Sequence, residues 1–106
     1  MKIIIDECLP KRVTRFFEDA SAYTVPQIGL SGYSDAQLLS ELDKRGIDVF
    51  VTIDGNIEYQ QQFAQRSFGT IVITSVSNRY EDLLHLRDTI LQAAESVSPG
   101  QIAHIP

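Results

Sequence analysis

Four acidic side chains occupy positions where they could do chemistry together. Asp6 and Glu7 follow a β-branched run in KIIIDECLPKR, Asp54 follows another in VFVTIDGN, and Asp35 comes directly after Ser34 in GYSDAQLL. In an open α/β sheet the functional crevice lies beyond the carboxyl ends of the strands, near the point where strand order reverses. If the strands that carry Asp6 and Asp54 are neighbours, their ends lie only ~5 Å apart laterally. Two carboxylates at that range repel unless a proton or a cation intervenes. Magnesium or manganese suits such a place, being a hard cation that takes oxygen ligands and commonly sits on one or two carboxylates, waters and a substrate phosphate. The chemistry that follows is phosphoryl or phosphodiester transfer, in which a cation activates a water and neutralises charge on the transition-state oxygens.

Each candidate also has a structural reading. Asp54-Gly55 makes a turn, and Asn56 can cap the helix after it. Ser34-Asp35 is a good helix start, since an acid in the first turn complements the helix dipole. Asp6 and Glu7 resist this reading. With Pro10 at the first helical position the cap falls on Leu9, so the two acids come too early to serve as caps. Cys8 reads as packing, because neighbouring carboxylates raise a thiol's pKa and suppress the thiolate. His85 and His104 have no partners at metal-ligand spacing and read as structural. Lys11, Arg12 and Arg15 form a solvated helix face that begins just past the acids, where it could steer a phosphate backbone.

The elements that must position these groups alternate in type. Lys2 to Ile5, Tyr23 to Val25, Asp48 to Thr52 and Thr70 to Thr74 are rich in Val, Ile, Thr and aromatics, as strands are. Leu9, Val13, Phe16 and Phe17 give a first helical stripe. Ser34 and Gln37 form a capping-box pair ahead of Leu38, Leu39 and Leu42, and Gly46 ends that helix. A third helix starts at Asn56, with Tyr59 and Phe63 on one face. A fourth starts from an Asn78 and Glu81 capping pair and buries Leu83, Leu86, Ile90, Ala94 and Val97. Gln101 to Ile105 adds a last strand. The β-α alternation predicts a three-layer α/β/α sandwich around a mainly parallel five-stranded sheet, in order 2-1-3-4-5.

The 106 residues, 43% of them hydrophobic, fit a single domain with one core region. No apolar run reaches the roughly 20 residues needed to cross a bilayer, and the start lacks the pattern of a signal peptide. With its single cysteine, the chain is expected in the cytoplasm with no membrane partner. A net charge of −5 argues against a general basic coat for nucleic acid.

Four segments, MKIIIDECLP, TVPQIGLSGYSDAQLL, VFVTIDGNIEYQQ and SNRYEDLL, resemble in that order the small PIN-like proteins of the Mut7-C-related group. PIN domains are magnesium- or manganese-dependent nucleases that mostly act on RNA, and many are toxin halves of toxin–antitoxin pairs. The resemblance therefore implies an endoribonuclease with a cognate antitoxin-like protein, and a homodimer, since PIN-like toxins often pair. It matches Asp6 to the first-strand acid, Thr52 and Asp54 to the T-x-D motif, and Asp35 to the acid that opens the second helix. It places Glu7 near the metal through water. Where the family often has a second acid two residues after T-x-D, this chain has Asn56, which offers an amide oxygen but no charge.

Two other readings use the same acids. A phospho-receiver domain would take Asp6-Glu7, Asp54 and Thr74 or Ser75, but it also needs a lysine after its fifth strand, and no lysine follows Lys44. A protein-interaction module would use the acids to bind a basic partner, a reading that Asn56 favours.

Overall fold

The computed structural model describes residues 1–75 and 77–106. Five strands, β1 (Lys2–Ile5), β2 (Ser21–Thr24), β3 (Val49–Thr52), β4 (Gly69–Ile73) and β5 (Ile102–Ile105), form one sheet in the order β2-β1-β3-β4-β5. Every pairing is parallel. The expected α/β class and strand order are both present, and the order reverses between β1 and β3 as expected.

The central strands are apolar on both faces because both are covered. Ile3, Ile5, Val49, Val51, Ile71 and Ile73 point into one cluster with Phe16, Leu83 and Ile90. Ile4 and Phe50 point the other way, against Leu38, Leu39 and Leu42. Strand side chains alternate between faces, so a continuous apolar run serves two cores.

The helices depart from the sequence expectation in instructive ways. Helix α1 (Asp35–Lys44) forms as predicted, with the Ser34 and Gln37 capping box closed in both directions and Gly46 at φ 66 beyond its end. The first predicted helix is instead a 3-10 segment, Lys11–Phe16, with Pro10 just before it. A 3-10 helix rises about 2.0 Å per residue, so six residues climb about 12 Å, close to the length of the four-residue strand they must run back along.

The third helix is a single turn, α2 (Ile57–Gln60), which ends when Gln61 turns extended. Tyr59 and Phe63 do not share a face, because Phe63 lies past that break and is buried whereas Tyr59 is exposed. Nor does Asn56 cap α2, since its side chain makes no capping bond.

The fourth predicted helix is broken into α3 (Tyr80–Leu83), a 3-10 turn Leu84–Leu86, and α4 (Arg87–Ser96). Its expected capping pair is not made. Asn78 donates its amide to the Cys8 carbonyl at 3.0 Å, while Glu81 meets Arg12 and Arg79. Long-range partners thus outcompete the local cap. Leu83, Ile90 and Ala94 are buried as predicted, but Val97 is past the helix end.

Asp43 near the end of α1 ties that helix to the segment before β4. It accepts from the Arg66 guanidinium at 2.8 Å and from the backbone N–H and hydroxyl of Ser67 at 2.9 and 3.1 Å. Burial opposes ionisation of Asp43, but these donors outweigh it and hold the carboxyl below its ordinary value. An unfolded Asp titrates near about 3.9, so this stabilisation is complete above that pH and is lost as pH falls through the lower folded value. Asp43→Asn is expected to lower the urea midpoint at pH 7, with the gap from wild type narrowing as pH falls below about 4. A gap that stays constant over that range would contradict the assignment.

Candidate functional site

The register of β1 on β3 sets the site. Ile5 lies opposite Val51, and the ladder continues as the Asp6 N–H donates to the Val51 carbonyl at 2.9 Å. The next residue of β3 is Thr52, fully buried on the same face as Phe50. Its hydroxyl donates to Asp6 Oδ2 at 2.7 Å and accepts the Asp54 N–H at 3.0 Å. One buried hydroxyl therefore joins the ends of the two strands, linking the Asp6 carboxylate to the backbone N–H of Asp54.

Each carboxylate is also held by its own backbone. Asp6 Oδ1 accepts the Glu7 N–H at 2.9 Å, and Asp54 Oδ1 accepts the Asn56 N–H at 3.0 Å. The second bond, to a backbone N–H two residues on, is an Asx turn, and it explains the local need for Asp54-Gly55-Asn56. Glu7 and Asn56 themselves project into solvent. Asp54 carries both the turn reading and the site reading, because the same carboxylate fixes the turn and stands at the strand end.

Asp35 comes from the opposite direction. Leu38, Leu39 and Leu42 bury α1 against Ile4 and Phe50, on the face that Thr52 shares, so the start of α1 comes up beside the strand ends. Burial first, and then the charges of Asp6 and Asp54, push the Asp35 carboxyl above its ordinary value. Three acids from three segments thus act within one field. Among the described residues none of them forms an ion pair.

The basic face is only partly available. Arg12 lies 4.3 Å over the Tyr80 ring and 3.4 Å from Glu81, so its guanidinium has a structural role at the surface. Lys11 and Arg15 are exposed and form no ion pair among the described residues.

Cys8 packs against one core cluster, as its sequence surroundings predict. It also makes polar contacts: Sγ lies 3.5 Å from Asp6 Oδ2 and 3.6 Å from Thr52 Oγ1. Burial and then the Asp6 charge push the thiol upward, against the opposite pull of hydrogen bonds from Ile53 and Thr52. The only signal was its spacing, two residues beyond Asp6. His104 reaches Glu58 at 2.7 Å and ties β5 to α2, whereas His85 stays at the surface. Thr74 donates its hydroxyl to the Ile105 carbonyl, which occupies the group a phospho-receiver would present.

The donor set is hard oxygen with an excess of negative charge, which matches magnesium or manganese in kind. Among the described residues no three His, Cys, Asp or Glu side chains close into a ready metal-binding group. Magnesium commonly takes only one or two carboxylates and keeps several waters, so its site need not be such a group. Comparison with protein-family models, characterised proteins and solved structures finds no match for this chain.

Thr52 is the residue whose loss should be felt most. Thr52→Val leaves the Asp54 N–H without its acceptor and Asp6 Oδ2 without its hydroxyl donor, at an expected loss of about 1–3 kcal/mol in urea unfolding. Thr52→Ser keeps the hydroxyl and loses one methyl, which costs about 1 kcal/mol or less. Equal losses in the two variants would mean that the methyl, not the hydroxyl, carries the effect.

Proposed function

We propose that this chain is a PIN-like endoribonuclease that depends on magnesium or manganese and hydrolyses phosphodiester bonds in RNA. The observation that carries the reading is geometric: at the carboxyl ends of adjacent strands the Thr52 hydroxyl donates to the Asp6 carboxylate and accepts the backbone N–H of Asp54. The raised carboxyl of Asp35 supports it, since it brings a third acid into the same field. The resemblance of the four sequence segments to PIN-like proteins supplies the reaction class.

In this reading Asp6 and Asp54 hold the cation, and Asp35 completes the shell directly or through water. When bound, the cation lowers the pKa of a water and stabilises charge on the phosphate oxygens. Thr52 fixes the rotation of the Asp6 carboxylate so that one oxygen is held and a lone pair remains for the ion. Glu7 and Asn56 offer further oxygens at the rim, Asn56 without charge. Lys11 and Arg15 draw the phosphate backbone towards the acids, with Arg12 restrained by Tyr80 and Glu81. The same resemblance makes the chain the toxin of a pair, restrained by an antitoxin-like protein and capable of pairing with its own copy.

The test is RNA cleavage by the purified protein with magnesium, with manganese and with chelator. Cleavage is expected only with the metals, and Asp6→Asn and Asp54→Asn should each reduce it about a hundredfold or more, beyond the 10- to 100-fold typical of outer-shell partners such as Thr52. Cleavage in chelator, or cleavage untouched in both variants, would overturn the mechanism. Inert protein that instead captures a basic partner through the same acids would establish the interaction-module reading.

A further inference from the structure

The amino ends of the strands, opposite the site carboxylates, carry a groove that the nuclease reading leaves unused. Its more enclosed part is a 220 Å³ cavity between β1, the chain that follows the 3-10 segment Lys11–Phe16, and α4, with a floor of Ile3, Phe16, Phe17, Leu91 and Ala94. A second cleft continues past the starts of β3 and β4, along Asp48, Val49 and Ser67 to Val97 and Pro99. Met1, Ala94 and Glu95 line both, so the two form one continuous surface. The Met1 side chain is exposed there.

The rim of this groove is acidic. Glu18, Asp19 and Glu95 flank the cavity and Asp48 the second cleft, whereas the one cationic side chain lining either, among the described residues, is Arg87, which lies 3.5 Å from Asp88. Even with the Met1 ammonium counted, negative charge is in excess. None of Glu18, Asp19 and Glu95 forms an ion pair among the described residues. Glu95 is unfavourable where it stands. It is next to last in α4, whose last turn holds no basic side chain, so its charge opposes the negative end of the helix dipole. Local stability therefore does not explain it.

We infer that this groove docks an extended basic segment of a partner protein, with one large apolar side chain in the cavity and flanking lysines or arginines on Glu18, Asp19 and Glu95. Charge complementarity selects the partner, since a nucleic acid or an anionic lipid surface would be repelled by the same rim. The cavity is smaller than the roughly 300–1,000 Å³ typical of small-molecule sites, which suits a single side chain better than a whole cofactor. Its continuation into the second cleft suits a chain that runs on. The inference does not depend on the nuclease reading. A four-residue strand, about 13 Å long, separates the groove from Asp6, so a partner seated in it leaves the carboxyl ends of the strands open.

The test is an NMR titration of the isotope-labelled protein, read at its backbone amides, with a short acetylated peptide in which one phenylalanine is flanked on each side by lysines. Shifts are expected at Ile3, Glu18, Asp19, Leu91 and Glu95, saturating with a Kd of about 1 mM or tighter. Replacing the peptide's phenylalanine by alanine, or its lysines by glutamates, should weaken binding about tenfold or more. Glu18→Lys combined with Glu95→Lys should do the same. Both positions are exposed and a lysine at 95 complements the helix dipole, so the urea midpoint of this variant should hold or rise, which separates lost docking from lost folding. Asp6→Asn should leave the affinity unchanged. No saturation at several millimolar peptide, equal binding of the glutamate peptide, affinity unmoved by the two charge reversals, or shifts confined to the carboxyl ends of the strands would each overturn the inference.

Discussion

The structure depends on the parallel pairing of β1 with β3. Ile3–Ile5 and Val49–Val51 are buried on both faces, so the polar side chains of the two strands fall at their ends, where Thr52 has hydrogen-bond partners. Polar chemistry is confined to their carboxyl ends, and the register Ile5 to Val51 decides which residues meet there. A slip of one residue would exchange the two faces of β1, taking Ile4 away from α1 and separating Asp6 from Thr52. The hydrophobic pattern that fixes the fold is therefore also what fixes the site.

Thr52 converts that pairing into a local geometry. As a buried hydroxyl it must satisfy both its donor and its acceptor, and it does so with one partner from each strand end. The neighbouring backbone N–H groups of Glu7 and Asn56 then settle the second oxygen of Asp6 and one oxygen of Asp54. The result is a pair of carboxylates with defined rotation and little freedom. Thr70, another buried threonine, finds no partner for its hydroxyl among the described residues. The contrast shows that the Thr52 bonds come from its place at a strand end beside free polar groups, not from the residue type alone.

Most of this was legible in the sequence. The strands, their order, and the placing of Asp6 and Asp54 just past the ends of neighbouring strands followed from apolar runs, from right-handed crossovers and from the acids that end two runs. The capping box of α1 was also legible, because both of its partners are local. What escaped was decided by distant contacts or by the length of the connections. Lys11–Phe16 has the apolar spacing of an α-helix but becomes a 3-10 segment because it must climb along a strand in six residues. Asn78 looked like a cap, yet its amide goes to Cys8, 70 residues away. Tyr59 and Phe63 were at helical spacing, but the helix stops between them. Periodicity assumes that an element continues, and it fails where the chain breaks early.

The same electrostatics underlie both the nuclease and the interaction readings, since clustered carboxylates attract a metal ion and a basic partner alike. The difference lies in how tightly the oxygens are held. A basic protein surface is satisfied by flexible acids that adapt to it, and rigid rotamers gain it little. A small hard ion requires oxygens at fixed positions, which is what the Thr52 hydroxyl and the two backbone N–H groups impose on Asp6 and Asp54. Asp35 has no such bond among the described residues, yet it lies close enough for both charges to raise its carboxyl. Restraint therefore falls on Asp6 and Asp54 through named donors, while Asp35 is reached through charge alone.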